Sequence, residues 1–487
     1  MGIVAKQSIK NLITTYLGFA IGALNTLFLY VNFMSETYYG LVGFIISTGM
    51  LVMPFMAFGV PNTIVKFFSS YEGKERAQFL SWALFLPFLV AIPLAILCYF
   101  FYVEIANLLS ARNAIVGDYI WHIYLIALSS AYFEVFYAWS KVHLKTVFGN
   151  FMKEVFHRLC IMVLLILLSL DSITVVFFIH SLVGVYILRM LIMKGYAYYL
   201  QRPLVTLSRK RPQNAKTVLK YTSLIILAGS VATMLLDLDK FMLGLFKDID
   251  NVAYYGVAIY IATVIAVPLR AMHQITYPMV AAMLNQNRRE EMKELYQKSS
   301  ISLLVISGLL FLLITCNIQS LYALINPNYA VGLYVVLLIG AAKLFDTTLG
   351  INNAIVFNSD YYRLVLYAGV FLVLIAVLLN VLLISKYGIY GAAIATFIAS
   401  LSYGLIKVMI VKQKFGIQPF TVHTLKGIVL ISLFFVVFYF WKIELHPILS
   451  IGLKSFLISF VYTLLIYKLK LSVDINTAIN TVLKRNQ

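Results

Sequence analysis

Eight ionisable residues sit inside stretches that are otherwise apolar: Glu134, Arg189, Asp237, Asp239, Lys240, Arg270, Lys343 and Asp346. A charge in such surroundings costs roughly 2.5–3.5 kcal/mol on insertion scales, so a chain keeps one only where it faces protein groups, water or a ligand. Spacing suggests the chemistry. Asp237 and Lys240 are three residues apart, which places them on one helical face, and Lys343 and Asp346 repeat the relation. Gly350 and Asn353 extend the second stripe. Two readings stand open for these pairs. Either each pair neutralises itself and fixes helix packing, or the cations line a water-accessible cavity that meets an anionic substrate. In the second case Asp237, Asp346 and Glu134 are the candidates to bind a coupling ion. Arg270 has no acidic residue near it on its own helix and is the leading candidate for holding an anion, with Lys343 and Lys240 behind it. Asn25, Asn352 and Asn353 are candidates to line the same path, against the plainer reading that a buried Asn bonds a neighbouring helix. Arg189 and Asp239 fall near the ends of their apolar runs, where a side chain can snorkel, and are set aside. Glu134 is expected near a helix end, within range of Lys141.

The elements that must position these residues are membrane helices. The 487 residues are 62% hydrophobic and 12% charged, with a mean hydropathy of +0.91, more apolar surface than a soluble domain of this length can hide. Apolar runs long enough to cross about 30 Å of hydrocarbon recur along the chain, and they are too long for barrel strands. The expected spans are 8–31, 38–62, 78–103, 115–140, 150–170, 173–193, 219–245, 252–275, 298–316, 330–357, 363–385, 388–411, 424–441 and 447–467. With the N-terminus inside, the outer loops hold only Arg112, Lys247, Lys386, Lys442 and Lys454, whereas nearly all other basic residues fall on the inner side. That asymmetry is the positive-inside pattern, and it places both termini in the cytoplasm. The net charge of +19 therefore reports topology and contact with an anionic leaflet, not nucleic acid. Cys98, Cys160 and Cys316 lie in apolar runs and show neither metal spacing nor a disulfide framework. The N-terminal run lacks a small-residue cleavage site and reads as a retained first helix.

The chain repeats weakly. Tyr38-Tyr39-Gly40 answers to Tyr254-Tyr255-Gly256, Pro54 to Pro268, and Glu134 to Asp346, all at a nearly constant offset. A duplication of six helices, with two helices added at the end, accounts for the offset; an even number gives both halves the same orientation. The expected organisation is an N-terminal six-helix lobe over 1–200 and a basic linker with Pro203 and Pro212 over 201–218. A second six-helix lobe follows over 219–415, and two additional helices with a tail over 416–487. Bundles of this kind without an extramembrane domain are typical of secondary transporters. No P-loop, dinucleotide fingerprint, zinc-protease motif or nucleophile elbow occurs in the sequence, so no cofactor and no enzymatic step is expected.

Three stretches carry a family resemblance: Leu236-Asp237-Leu238-Asp239-Lys240, Tyr387-Gly388-Ile389-Tyr390-Gly391-Ala392-Ala393, and Phe345-Asp346 through Tyr361-Tyr362-Arg363. With the span number, they make the whole chain resemble the polysaccharide-transporter branch of the multidrug/oligosaccharidyl-lipid/polysaccharide flippase superfamily, the flippases of O-antigen, capsule and exopolysaccharide. The resemblance implies an all-α integral membrane fold of about fourteen helices, a V-shaped MATE-like bundle of two six-helix lobes in a bacterial inner membrane. It implies a substrate, an undecaprenyl-diphosphate-linked oligosaccharide moved by alternating access. It also implies partners: membrane lipids, glycosyltransferases upstream and a polysaccharide polymerase downstream. Arg270, Lys343 and Lys240 would then meet the diphosphate, while Asp237 and Asp346 tune them or carry a coupling proton or sodium ion. Two alternatives remain beside it. A multidrug exporter of the same superfamily calls for acidic residues to dominate the cavity, whereas here intramembrane cations and carboxylates balance. A membrane sugar polymerase or ligase calls for a large external loop, and none is long enough.

Overall fold

The computed structural model describes residues 3–203, 214–228, 231–441 and 445–485, and among them the regular structure is helical with no strand. Residues 204–213, most of the expected linker, lie outside the described residues. Among the described residues, twelve helices are long and apolar enough to cross a membrane. They coincide with twelve of the expected spans. The other two expected spans fall on Thr146–Ser169, and on Ala215–Ala228 followed by Val231–Phe246. The first is interrupted by a π-turn over Met152–Phe156 and carries Lys153, Glu154, His157 and Arg158; the second carries Asp237, Asp239 and Lys240. Among the described residues length and hydropathy thus pick out twelve spans where the sequence suggests about fourteen: Thr146–Ser169 carries three charges close together, and Ala215–Ala228 and Val231–Phe246 are each shorter than a span.

Local chemistry fixes the helix ends. Ser35 and Thr174 cap the helices Glu36–Met56 and Val175–Leu200 by accepting from the backbone N–H groups of Tyr38 and Phe177, and Thr421 with Thr424 forms a capping box at Val422–Phe440. Gly388, at φ +56°, lets Tyr362–Tyr387 and Ile389–Phe415 follow each other with no loop between them. The two prolines paired by the repeat each mark a break in their span. Pro54 is followed by a turn at Ala57–Gly59 and a new helix Val60–Phe67, while Pro268 opens the helix Val267–Asn285 after a 3₁₀ turn at Val264–Ala266.

The chain forms two compact units, Met1–Ala253 and Tyr254–Gln487. The helix Val231–Phe246, which the repeat assigns to the second half, packs on Glu36–Met56 inside the first unit. Gly244 lies so close to the Phe44 ring that no Cβ would fit. In lipid, close approach and hydrogen bonds hold helices together more than apolar burial does. Gly149 sits against the Tyr137 ring in the same way, and Gly404 against Phe345. Asn25 donates to the Arg158 carbonyl at 2.8 Å, and Ser300 to the Thr348 carbonyl at 2.6 Å. Large apolar side chains such as Leu374, Phe440 and Phe456 cover the outside.

Candidate functional site

Each unit contains an ionic centre built on one helix. In the first unit that helix is Ile120–Val142, packed against both Glu36–Met56 and Val175–Leu200. Its Glu134 accepts from Lys153 Nζ at 2.6 Å, across from the π-turn that carries Lys153. One turn further along, Arg158 pairs with Glu154 at 3.6 Å. Lys141 Nζ stands 4.0 Å over the Tyr137 ring. Arg189 is 6% exposed, with its guanidinium 4.3 Å above Phe133 and 4.8 Å from Tyr186; its Nη2 donates to Ser130 Oγ at 3.4 Å. Four cations thus gather around two carboxylates. Among the described residues, buried Arg189 Nε, Arg158 Nη1 and His157 Nδ1 find no hydrogen-bond partner. Surplus positive charge with unused N–H groups, inside an apolar bundle, attracts an anion.

Several of these groups stand where the sequence did not suggest. Glu134 pairs with Lys153 rather than Lys141, because Lys141 lies seven residues on along the same helix, about 10 Å away on the axis. Arg189 does not snorkel: its helix runs on to Leu200, well past the expected end, so the guanidinium stays inside. Asp239 is likewise fully buried rather than at an end. Lys153 and Arg158, counted with the inner-side cations although they fall inside the expected span 150–170, belong to the continuous helical run Thr146–Ser169. The signal that marks them is the sequence Lys153-Glu154 followed by His157-Arg158, a charged face inside a span-length segment.

The second unit is built on Leu333–Thr348, which packs on Ile389–Phe415 and Arg289–Thr315. Asp346 meets Lys407 at 3.7 Å, and Lys407 Nζ donates to Asn353 Oδ1 at 2.9 Å with the Tyr403 ring 4.7 Å away. Lys407, counted with the inner-side cations although it falls inside the expected span 388–411, is 3% exposed, four residues before that span's expected end on a helix that runs on to Phe415. His273, Tyr277 and Tyr403 lie within electrostatic reach of Asp346. The two centres correspond: Glu134 and Asp346 occupy the fourth and tenth expected spans, and Arg189 and Lys407 the sixth and twelfth.

The remaining sequence candidates are spread over both units. Lys343 is half-buried on the helix of Asp346, and Arg270 is exposed on Val267–Asn285. Asp237 and Lys240 are half-buried on Val231–Phe246, within electrostatic reach of each other. Asn25 donates to the Arg158 carbonyl and Asn352 to the Tyr296 hydroxyl, each with its buried Oδ1 unpartnered among the described residues, while Asn353 Oδ1 accepts from Lys407. Among the described residues no group of three or more His, Cys, Asp or Glu side chains is placed to hold a metal ion.

A sequence model of the family described as polysaccharide biosynthesis protein matches residues 5–284. The search of curated proteins returns no match. Among solved structures, the chain is similar to the lipid II flippase MurJ in an inward closed conformation. The TM-score is 0.68 at 14% identity, over 94% of this chain and 99% of that one. It is also similar to the MATE multidrug transporter DinF-BH, with a TM-score of 0.55 at 15% identity over 85% and 95% of the two chains. An outward-facing multidrug resistance MATE transporter of the MOP superfamily gives a TM-score of 0.51 at 14% identity over 89% and 97%. At these identities the likeness is one of fold.

Proposed function

Because this chain belongs to the polysaccharide biosynthesis protein family, and so is a membrane flippase or transporter of the multidrug/oligosaccharidyl-lipid/polysaccharide flippase superfamily, we propose that it translocates an undecaprenyl-diphosphate-linked oligosaccharide by alternating access. The observation that carries the reading is the surplus of positive charge in the first unit, where, among the described residues, Lys141, Lys153, Arg158 and Arg189 gather around Glu134 and Glu154, with Asp237 in reach of Tyr186 beside Arg189. A diphosphate repays the cost of keeping such cations in hydrocarbon, and charge-assisted N–H bonds are its strongest recognition. Lys153 is the accessible member, with 41% of its side chain exposed, and Glu134 holds it when no substrate is present. Arg189 stays buried and supplies field rather than contact. On this reading Lys240 in the first unit, and Arg270 and Lys343 in the second, meet the diphosphate at successive stages. Asp237 and Asp346 tune these cations or carry a coupling proton or sodium ion, and Asn25 and Asn353 hold the helices that bear them. The lipid tail remains in the bilayer throughout. The lipid II flippase named among the similar structures favours such a cargo over a drug. The setting is the inner membrane with both termini cytoplasmic, between glycosyltransferases that build the glycan and a polymerase that consumes it.

The test is reconstitution into liposomes with a fluorescent undecaprenyl-diphosphate glycan. Wild type should flip it, and Arg270→Ala, Lys343→Ala and Lys153→Gln should each slow flipping while inserting normally. Export of cationic dyes by a wild type that moves no glycan would replace this reading with a drug exporter.

A further inference from the structure

The first unit also contains an apolar cavity of about 440 Å³, lined by three helices and separate from the ionic centre. Phe85 and Phe88 of Gly73–Phe100 form one wall, Leu128 and Tyr132 of Ile120–Val142 the floor, and Met190 of Val175–Leu200 the other wall. Lining positions recur at helical spacing on every one of them, so the cavity is a groove running parallel to the helices. On Val175–Leu200 it extends from Ile187 to Tyr198, about 16 Å at 1.5 Å per residue, roughly half the hydrocarbon thickness. The Tyr132 hydroxyl donates to the Leu84 carbonyl at 3.0 Å, which fixes the floor against one wall.

One end is chemically different. Among the described residues Lys194 is the only charged one lining the groove and has no carboxylate partner, and the Tyr198 ring lies 5.6 Å from its Nζ. Arg202, exposed, stands just beyond that end. Under the orientation set by the basic loops, this end faces the cytoplasmic leaflet, whose lipids are anionic.

We propose that this groove binds one anionic phospholipid of the bilayer, an acyl chain along Phe88, Leu128 and Met190 with its phosphate on Lys194. The length decides between lipids: a groove one leaflet deep accommodates an acyl chain, whereas an undecaprenyl chain is several times longer. The bound lipid would thereby touch Ile120–Val142 and Val175–Leu200, the helices that carry Glu134 and Arg189.

The experiment is native mass spectrometry of the full chain after equilibration with vesicles of phosphatidylglycerol and phosphatidylcholine in equal amounts. One retained phosphatidylglycerol is expected, favoured over phosphatidylcholine about fivefold, the factor one lysine supplies near an anionic surface. Lys194→Gln should abolish the preference, and Leu191→Trp, at a lipid-facing position 49% exposed, should block retention of both lipids. Melting temperatures of both variants serve as the folding control. Equal retention of the two lipids by wild type overturns the proposal, as does a preference that survives Lys194→Gln. Displacement of phosphatidylglycerol by undecaprenyl phosphate at equal concentration overturns the choice of occupant.

Discussion

The ionic centres of the two units share a plan and differ in their charge. Both set a carboxylate on one helix against a cation two expected spans later: Glu134 with Arg189 in electrostatic reach, and Asp346 in contact with Lys407. In the second unit the cation Lys407 is matched. Lys407 has its carboxylate, its amide oxygen and its ring, and is shut away from solvent. In the first unit the helical run Thr146–Ser169 adds Lys153 and Arg158, so cations exceed carboxylates and buried N–H groups stay unused. A matched pair holds its helices together even while its carboxylate serves the site; a surplus favours an anionic visitor. The first unit carries charges that have no counterpart in the second unit's pair.

Breaking the balanced centre should have the largest effect on stability. Asp346→Ala leaves Lys407 buried without its counter-ion, a change that typically costs about 3–5 kcal/mol, and a large drop in melting temperature is expected. Asp346→Asn combined with Lys407→Gln should recover most of it; a double variant no better than Asp346→Ala would remove the claim that the pair is self-contained. Next in size is Gly149→Ala, which drives a Cβ into the Tyr137 ring and should destabilise by about 1–3 kcal/mol. That substitution separates the helix of Lys153 from the helix of Glu134, so flipping should fall with stability. Arg189→Gln sharpens the contrast: removing one cation of a surplus relieves repulsion while losing the stacking on Phe133 and Tyr186, so stability should change by only about 1 kcal/mol while flipping drops about tenfold. The smallest effect is expected for Lys141→Gln, where an exchange over the Tyr137 ring should cost about 0.5–1 kcal/mol and leave flipping within a few-fold of wild type.

Much of the fold was legible because a membrane leaves few choices. Apolar runs of span length, basic loops on one side and prolines at matching positions follow from solvent physics, and the helices Glu36–Met56, Ala114–Val142 and Tyr362–Tyr387 appear close to where hydropathy places them. The site was legible only in part. Asp346 and Glu134 stand out as carboxylates in apolar sequence, but their partners come from other helices, at positions such as Lys153 and Lys407 that count with the inner-side cations when read one span at a time. Helix length was the missing quantity for Arg189: a few residues more on Val175–Leu200 turn a snorkelling side chain into a buried one. The π-turn at Met152–Phe156, which brings Lys153 within reach of Glu134, leaves no pattern in hydropathy at all.

The central claim, that the first unit's surplus charge serves an anionic lipid-linked glycan, is tested most directly by binding. Affinity of the purified protein for an undecaprenyl-diphosphate glycan should be compared with that for neutral undecaprenol, in wild type and in Lys153→Gln. The account predicts a strong preference for the diphosphate that falls about tenfold in Lys153→Gln, because a charge-assisted contact contributes about 1.5–3 kcal/mol. A preference unchanged by that substitution would show that the charges of the first unit do not read the cargo, and would contradict the account.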